Sequence, residues 1–166
     1  MATITLDTPA GPFTVLASGE SVLAAGFTTD ERDLLPLVHP RLREPEDADL
    51  DRIAKAVAAY FSGDLTAIDA VPVTQHTGGP FLAHAWEVLR DVPAGEPVTY
   101  TEYAALAGRP AAVRAAAGAC ARNAAALFVP CHRVVRTDGS LGGYRWGLDV
   151  KRHLLAHERQ MTKTGS

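Results

Sequence analysis

The chain has 166 residues, 47% of them hydrophobic and 21% charged, enough for one compact unit or two small ones, since domains run about 100 to 200 residues. No apolar run approaches the roughly 20 residues that cross a bilayer, and Met1 to Asp7 alternates polar and apolar residues. This pattern excludes a membrane-spanning helix and a secretory signal and predicts a cytoplasmic protein. Two cysteines, Cys120 and Cys131, are too few for a disulfide framework or a four-thiolate zinc site, so any reactive cysteine is a free thiol. The formal charge of -3 hides an asymmetry: residues 1–75 hold 5 basic and 12 acidic residues, the remainder 11 and 7. Only the second part suits a polyanion.

Thr3–Thr8, Phe13–Ser18 and Val22–Phe27 are short runs rich in Thr, Val, Ile and Phe, separated by Pro9-Ala10-Gly11 and Gly19-Glu20. They predict three strands in an antiparallel meander. Pro36, Pro40 and Pro45 make residues 36–47 a surface connection. Leu50, Ile53, Val57 and Tyr60-Phe61 then recur at helical spacing with Gly63 as a stop, which predicts an amphipathic helix covering the strands. Val71–Pro80 holds Pro72, Gly78-Gly79 and Pro80 and coincides with the change in charge sign. A boundary near residue 78 follows, giving an α/β domain over 1–78 and a second domain over 79–166.

In the second part, Phe81, Ala85, Trp86 and Leu89 mark one helix, Thr101–Ala107 a second and Ala111–Arg122 a third. Gly108-Arg109-Pro110 between the last two is helix-turn-helix spacing, with Pro110 suited to the first position of the following helix. That helix surrounds one long side chain, Arg114, with Ala111, Ala112, Ala115, Ala116, Ala117, Gly118 and Ala119. It reads either as a core helix packed tightly or as a helix laid against nucleic acid with Arg114 as its probe. Asp138-Gly139 between Val134-Val135 and Leu141 is a hairpin-turn signal that forms a wing beside the helices. Val150, Leu154 and Leu155 mark a last helix with Asp149 as its N-cap, and Arg159–Ser166 reads as a loose polar tail. The fold class is therefore α/β: a small N-terminal antiparallel sheet with a covering helix, followed by a mainly helical winged helix-turn-helix domain.

The chemistry concentrates in Asn123–Val135. A thiol attacks as its thiolate and needs a base or a positive environment to ionise near neutrality. Cys131 is followed by His132 and Arg133, and Pro130 favours a fixed, non-helical presentation of the cysteine. Pro130-Cys131-His132-Arg133-Val134 resembles the active-site signature of the O6-alkylguanine-DNA alkyltransferases, the methylated-DNA protein-cysteine methyltransferases. Gly95-Glu96-Pro97-Val98-Thr99-Tyr100 and Ala112-Val113-Arg114-Ala115 lie upstream in the order of that family, and the likeness runs from about Phe81 to Glu158. Leu141-Gly142-Gly143-Tyr144-Arg145-Trp146-Gly147 is most similar to the alkyltransferase half of the bifunctional bacterial adaptive-response protein. The first 75 residues match only in their pattern of strands and one helix.

The resemblance implies that Cys131 accepts the alkyl group, that His132 removes its proton through a water, and that Glu158 orients His132. It implies that Asn123 holds the backbone of the active-site turn, although a helix C-cap accounts for that residue equally well. Tyr100 would assist rotation of the target nucleotide and hydrogen-bond the departing guanine; by itself it reads as a half-buried packing residue. Arg114, with Ala115 beside it, would enter the duplex where the flipped base had been. Val134, Tyr144, Arg145, Lys151 and Cys120 would form the substrate pocket, while a lone lysine on a helix is otherwise a solvated charge. Arg145-Trp146 departs from family members with small residues there, which bears on whether bulky lesions fit.

The implied reaction consumes the protein stoichiometrically, acts on O6-alkylguanine and O4-alkylthymine in double-stranded DNA, and uses no metal or organic cofactor. A monomer without membrane association is implied. His153 and His157 stand four apart, but no glutamate occupies the zinc-protease position between them. Two other readings remain open from sequence. One is a non-catalytic lesion sensor that recruits other repair proteins, whose relatives lack the cysteine. The other is a cysteine hydrolase, which would require an oxyanion hole.

Overall fold

The computed structural model describes residues 1–43, 47–75 and 79–164, the side chain of Thr164 excepted. It divides into two compact units, Met1–His76 with Ala124–Phe128, and Thr77–Asn123 with Val129–Ser166. The boundary expected near residue 78 lies outside the described residues. The excursion of 124–128 into the first unit had no signal in the sequence. It is a short apolar run inside a segment otherwise assigned to the second unit.

In the first unit, strands β1 (Ala2–Thr8), β2 (Gly11–Ser18) and β3 (Ser21–Gly26) form an antiparallel sheet in the order β1-β2-β3. The tight β1–β2 connection relies on Gly11 at φ 114°, a conformation that only glycine adopts without strain. Helix α1 (Leu50–Phe61) begins at Asp49, whose carboxylate accepts from the Arg52 amide, and buries Ile53, Val57 and Tyr60. These are the residues whose spacing predicted it, and α1 packs on β1 as expected for the covering helix. The five-residue excursion lies beside β3: the Ala25 amide donates to Ala124 O at 2.8 Å and the Ala126 amide to Ala25 O at 3.0 Å. Phe128 brings its ring to 6.1 Å from that of Phe13, so the segment adds both backbone pairing and apolar bulk.

The second unit holds α2 (Pro80–Arg90), β4 (Val98–Thr99), α3 (Tyr100–Leu106), α4 (Val113–Arg122), β5 (Val134–Val135) and α5 (Leu148–Thr164). Helix α3 starts with a capping box: Thr99 Oγ1 accepts from the Glu102 amide at 3.1 Å, and a Glu102 carboxylate oxygen accepts from the Thr99 amide at 3.0 Å. It ends in a Schellman motif, with Arg109 N donating to Ala104 O and Gly108 N to Ala105 O, and Gly108 at φ 86°. A further turn, closed by Ala112 N to Arg109 O at 2.9 Å, follows before α4 begins at Val113. The linker is therefore longer than the three residues expected. Pro110 sits inside that turn rather than at the first helical position; its fixed φ suits either place.

Three other expectations change. Val134-Val135 pairs in parallel with Val98-Thr99, and among the described residues no strand follows Asp138-Gly139. The turn itself forms, with Arg136 N donating to Ser140 O at 2.9 Å, but the wing is an irregular loop. Asp149 lies inside the first turn of α5 rather than at its cap, and pairs with Arg152 at 2.9 Å. The tail read as loose from Arg159 is helical through Thr164. Its Thr162 Oγ1 bonds Glu158 O at 2.9 Å and packs beside Gly95, where an added Cβ would stand 2.6 Å from Thr162 Oγ1.

Helix α4 packs one face of the alanine-rich segment and leaves the other exposed. Ala116 and Ala119 are fully buried, and the Ala119 carbonyl accepts from Trp86 Nε1 at 2.9 Å. Arg114, Ala115, Ala121 and Arg122 are exposed. Gly118 lies half-buried with open space where its Cβ would be, so nothing within the protein requires a glycine there.

Gly95, at φ 82° and against Thr162, supplies a test of the packing of α5. Gly95→Ala is expected to lower stability by about 1–3 kcal/mol in urea denaturation. Adding Thr162→Ala should recover part of that loss, and a Gly95→Ala protein as stable as the parent would contradict the packing described.

Candidate active site

The site is built on one turn of 3-10 helix, Cys131–Arg133, that follows Pro130. Cys131 N donates to Val129 O at 2.8 Å and Arg133 N to Pro130 O at 3.0 Å, so three consecutive side chains leave a tight turn in different directions. Cys131 keeps part of its surface exposed. His132 and Arg133 are buried, at 0% and 3% exposure.

Asn123 ends α4 and serves both roles considered for it. It is the C-cap residue, and its Nδ2 donates to Val129 O at 2.8 Å and to Cys131 Sγ at 3.3 Å. One amide group thus ties the end of α4 to the carbonyl before Pro130 and to the sulfur. Burial pushes the Cys131 thiol up, against the opposing pull of Asn123, Lys151 and Arg145. The sulfur therefore rests as a thiol and requires a base.

Glu158 from α5 is fully buried. Its Oε2 lies 2.7 Å from His132 Nε2, and the Arg133 guanidinium reaches it twice, Nε to Oε1 at 2.9 Å and Nη2 to Oε2 at 3.0 Å. The third guanidinium nitrogen, Nη1, donates to Val92 O at 2.7 Å. Burial opposes ionisation of Glu158, but His132 and Arg133 together outweigh it and hold the carboxyl well below its usual range. Burial depresses His132 in turn, so the ring is neutral at physiological pH. An ionised carboxylate only accepts, which puts the imidazole hydrogen on Nε2 and the lone pair on Nδ1. Among the described residues, Nδ1 is one of two buried side-chain polar atoms without a hydrogen-bond partner.

The other such atom is Tyr144 Oη. Burial raises its hydroxyl far above the ordinary range, so it stays a neutral donor. Lys151 is not the solvated charge that its place on a helix suggests: it is fully buried, and its Nζ donates to Val134 O at 2.8 Å, to Gly143 O at 3.1 Å and to Leu141 O. It staples the irregular loop to β5 and α5, and burial lowers its pKa. Arg145 is exposed and donates Nη2 to Ala121 O near the end of α4. Val134 is buried, and burial pushes the partly covered Cys120 thiol far up, leaving it inert.

Tyr100, at the start of α3, lies against Gly142, where an added Cβ would be 3.0 Å from its hydroxyl. Burial, with the charges that Cys120 and Cys131 would carry adding to it, pushes the phenol up to about 12. Tyr100 and Arg114 line a cavity of about 420 Å³ together with Arg136, Thr137, Gly142 and Gly143. The structure thus bonds Asn123 to Cys131 and His132 to Glu158, with Cys131 and His132 consecutive in one turn, and brings Tyr100 and Arg114 onto one cavity. Cys120, Val134, Tyr144, Arg145 and Lys151 do not line that cavity. Arg133 and Arg136 were absent from the sequence-derived site. Arg133 stood beside His132 in the motif, but its partner lies 25 positions away, a pairing for which no spacing rule exists.

Residues 80–160 match the model of the 6-O-methylguanine DNA methyltransferase DNA binding domain, and residues 1–75 that of its ribonuclease-like domain. The methylated-DNA–protein-cysteine methyltransferase of Salmonella typhimurium is 34% identical over 160 residues, covering 92% of each chain. This chain belongs to the 6-O-methylguanine DNA methyltransferase family. The regulatory protein ada of Salmonella typhimurium is 41% identical over 152 residues, and the match covers 88% of this chain but 42% of that protein's length. Among solved structures, the Mycobacterium tuberculosis OGT in complex with DNA superposes with a TM-score of 0.79 at 32% identity, covering 96% of this chain and 93% of that one. Among the described residues, no helix is long and apolar enough to cross a membrane.

The buried network carries a pH dependence of defined sign. His132 and Glu158 both have folded pKa values below their ordinary 6.5 and 4.5, so on the acid side the unfolded chain binds more protons than the folded one. Their stabilisation is complete above 6.5 and is lost as pH falls, first by protonation of His132 in the unfolded chain and then, below 4.5, by that of Glu158. Thermal denaturation between about pH 8 and about pH 4 should show Tm falling from the upper threshold downward. Glu158→Gln should cost about 3–5 kcal/mol at neutral pH, since it leaves the Arg133 charge buried and unpaired.

Proposed function

We propose that this protein repairs O6-alkylguanine in double-stranded DNA by irreversible transfer of the alkyl group to Cys131. The observation that carries the reading is the polarity of the turn that holds Cys131 and His132: a resting thiol, a neutral imidazole next to it in sequence with Nδ1 unpartnered, and an anion bonded to that ring at Nε2. That arrangement activates a sulfur nucleophile without a metal or an organic cofactor.

The lesion cannot meet a thiol while stacked in a duplex, so the nucleotide is extruded at a cost of a few kcal/mol. The exposed face of α4 fits the duplex side of that event. Ala115, Ala121 and the open position at Gly118 permit close approach, and Arg114 is exposed to fill the gap left by the base. Tyr100 turns the nucleotide and bonds the leaving guanine; its high pKa keeps it a donor.

His132 Nδ1 takes the Cys131 proton through a water, the thiolate attacks the alkyl carbon in line, and the guanine departs from its oxygen and is protonated. The sulfur–carbon bond formed is a thioether with no hydrolytic exit, so one molecule repairs one lesion. O4-alkylthymine presents the same alkyl–oxygen bond and is a second substrate. The protein acts as a cytoplasmic monomer, a form consistent with its composition.

Incubation with duplex DNA bearing O6-methylguanine is expected to add one methyl mass to the Cys131 peptide, with at most one equivalent repaired per protein. Repeated turnover would favour a hydrolase, and tight binding without a mass change would favour a lesion sensor. Arg114→Ala should slow repair of duplex substrate by about tenfold or more while sparing attack on a free base analogue. Equal losses on both substrates would argue against insertion of Arg114.

A further inference from the structure

Arg133 touches Glu158 more extensively than His132 does. Its Nε and Nη2 donate to the two carboxylate oxygens at 2.9 and 3.0 Å, Nη1 is held by Val92 O at 2.7 Å, and His132 Nε2 meets Oε2 at 2.7 Å. None of the three side chains exceeds 3% exposure. A carboxylate clasped at both oxygens by a guanidinium is ionised and has no hydrogen to donate. The imidazole nitrogen facing it must carry the hydrogen. A neutral ring has only one, so Nδ1 is left with the lone pair, and Nδ1 is the nitrogen without a partner.

Removal of the guanidinium changes this assignment. A buried Glu–His pair without a third charge takes up one more proton, as carboxylate with imidazolium or as carboxylic acid with neutral imidazole. In the first form both ring nitrogens carry hydrogen. In the second the acid donates to Nε2 and the ring hydrogen sits on Nδ1. Either form removes the lone pair that faces away from Glu158.

We infer that Arg133 is a positioning residue that sets the protonation state of the base, holding Glu158 as an anion so that His132 keeps Nδ1 unprotonated and able to accept the Cys131 proton. This rests on the alkyl-transfer reading and adds to it the group that makes His132 competent. The charged groups acting on His132 are Glu158 from α5, Arg133 from its own turn, and Lys151, also from α5, whose Nζ is tied to three carbonyls. Burial comes first in depressing the imidazole; the Arg133 and Lys151 charges act in the same direction, and Glu158 opposes them.

The test is the pH profile of the single-turnover methyl-transfer rate from duplex DNA carrying O6-methylguanine, for the parent, Arg133→Lys and Arg133→Met. With the guanidinium gone, His132 holds its proton to higher pH. The acid limb of Arg133→Met is expected to move upward by about one pH unit or more, costing about tenfold in rate at neutrality and little near pH 9. Arg133→Lys retains the charge and should restore most of the displacement. A uniform loss at every pH, with the limb unmoved, overturns the inference and leaves Arg133 as a tie between the turn and α5. Nitrogen-15 NMR of His132 in the parent decides the matter even if Arg133→Met does not fold. Hydrogen on Nε2 at neutral pH supports the inference, and hydrogen on Nδ1 overturns it. A parent protein with hydrogen on Nε2 that fails to methylate Cys131 would overturn the alkyl-transfer reading while leaving the protonation assignment standing.

Discussion

A carboxylate with no exposed surface stays ionised only if the groups around it replace the water it has lost, and Glu158 has three such bonds from two side chains. The rest of the candidate site's geometry depends on that exchange. Glu158 ties α5 to the 3-10 turn, orients the His132 ring and fixes which nitrogen bears hydrogen. It does so at the considerable desolvation cost of burying an acid, a base and an imidazole together. Such an arrangement contributes little net stability compared with an apolar core of the same volume. What it provides is a defined protonation state at the residue that follows Cys131 in the turn.

Lys151 repeats the logic at a second place. A buried ammonium bonded to three carbonyls, of Val134, Leu141 and Gly143, fixes an irregular loop that has no strand partner to fix it. The loop in turn offers Gly142 to the face of Tyr100. A hairpin wing would have been held by its own ladder; this one is held from below by a charged side chain. The same residue therefore supports the shape of the cavity wall and adds positive potential near Cys131.

Helix α4 carries small residues on its buried face and on its exposed face. Buried alanines let Trp86 come close enough to bond a helix carbonyl, which positions α4 on α2. The exposed small residues leave backbone accessible around Arg114. Small side chains on both faces are ambiguous in a sequence, because the packing and the recognition arguments ask for the same residue types. Burial separates the two faces: Ala116 and Ala119 pack inside, while Ala115 is exposed and Gly118 is half-buried with open space at its Cβ position.

Much was legible from residue order alone. The three strands, the covering helix and the helices of the second unit follow from local periodicity and from turn and cap residues, and these signals act over a few positions. The Pro-Cys-His-Arg run pointed to the family because it is contiguous. The departures came where a longer-range partner decides the outcome. Residues 124–128 lie beside β3 through hydrogen bonds to Ala25, about a hundred positions earlier. Lys151, expected in the substrate pocket with a solvated charge as the alternative, is neither, because helix position says nothing about which carbonyls lie within its reach. Arg133 went unassigned because its carboxylate stands on a different helix.

The amino-acid sequence by itself determined which atoms are able to react, since thiol, imidazole, guanidinium and carboxylate are properties of the residues. Tertiary structure decided which of them touch, how deeply they are buried and therefore which are charged. Protonation in an interior depends on desolvation and on neighbours within a few ångströms, and neither quantity is encoded by position along a chain.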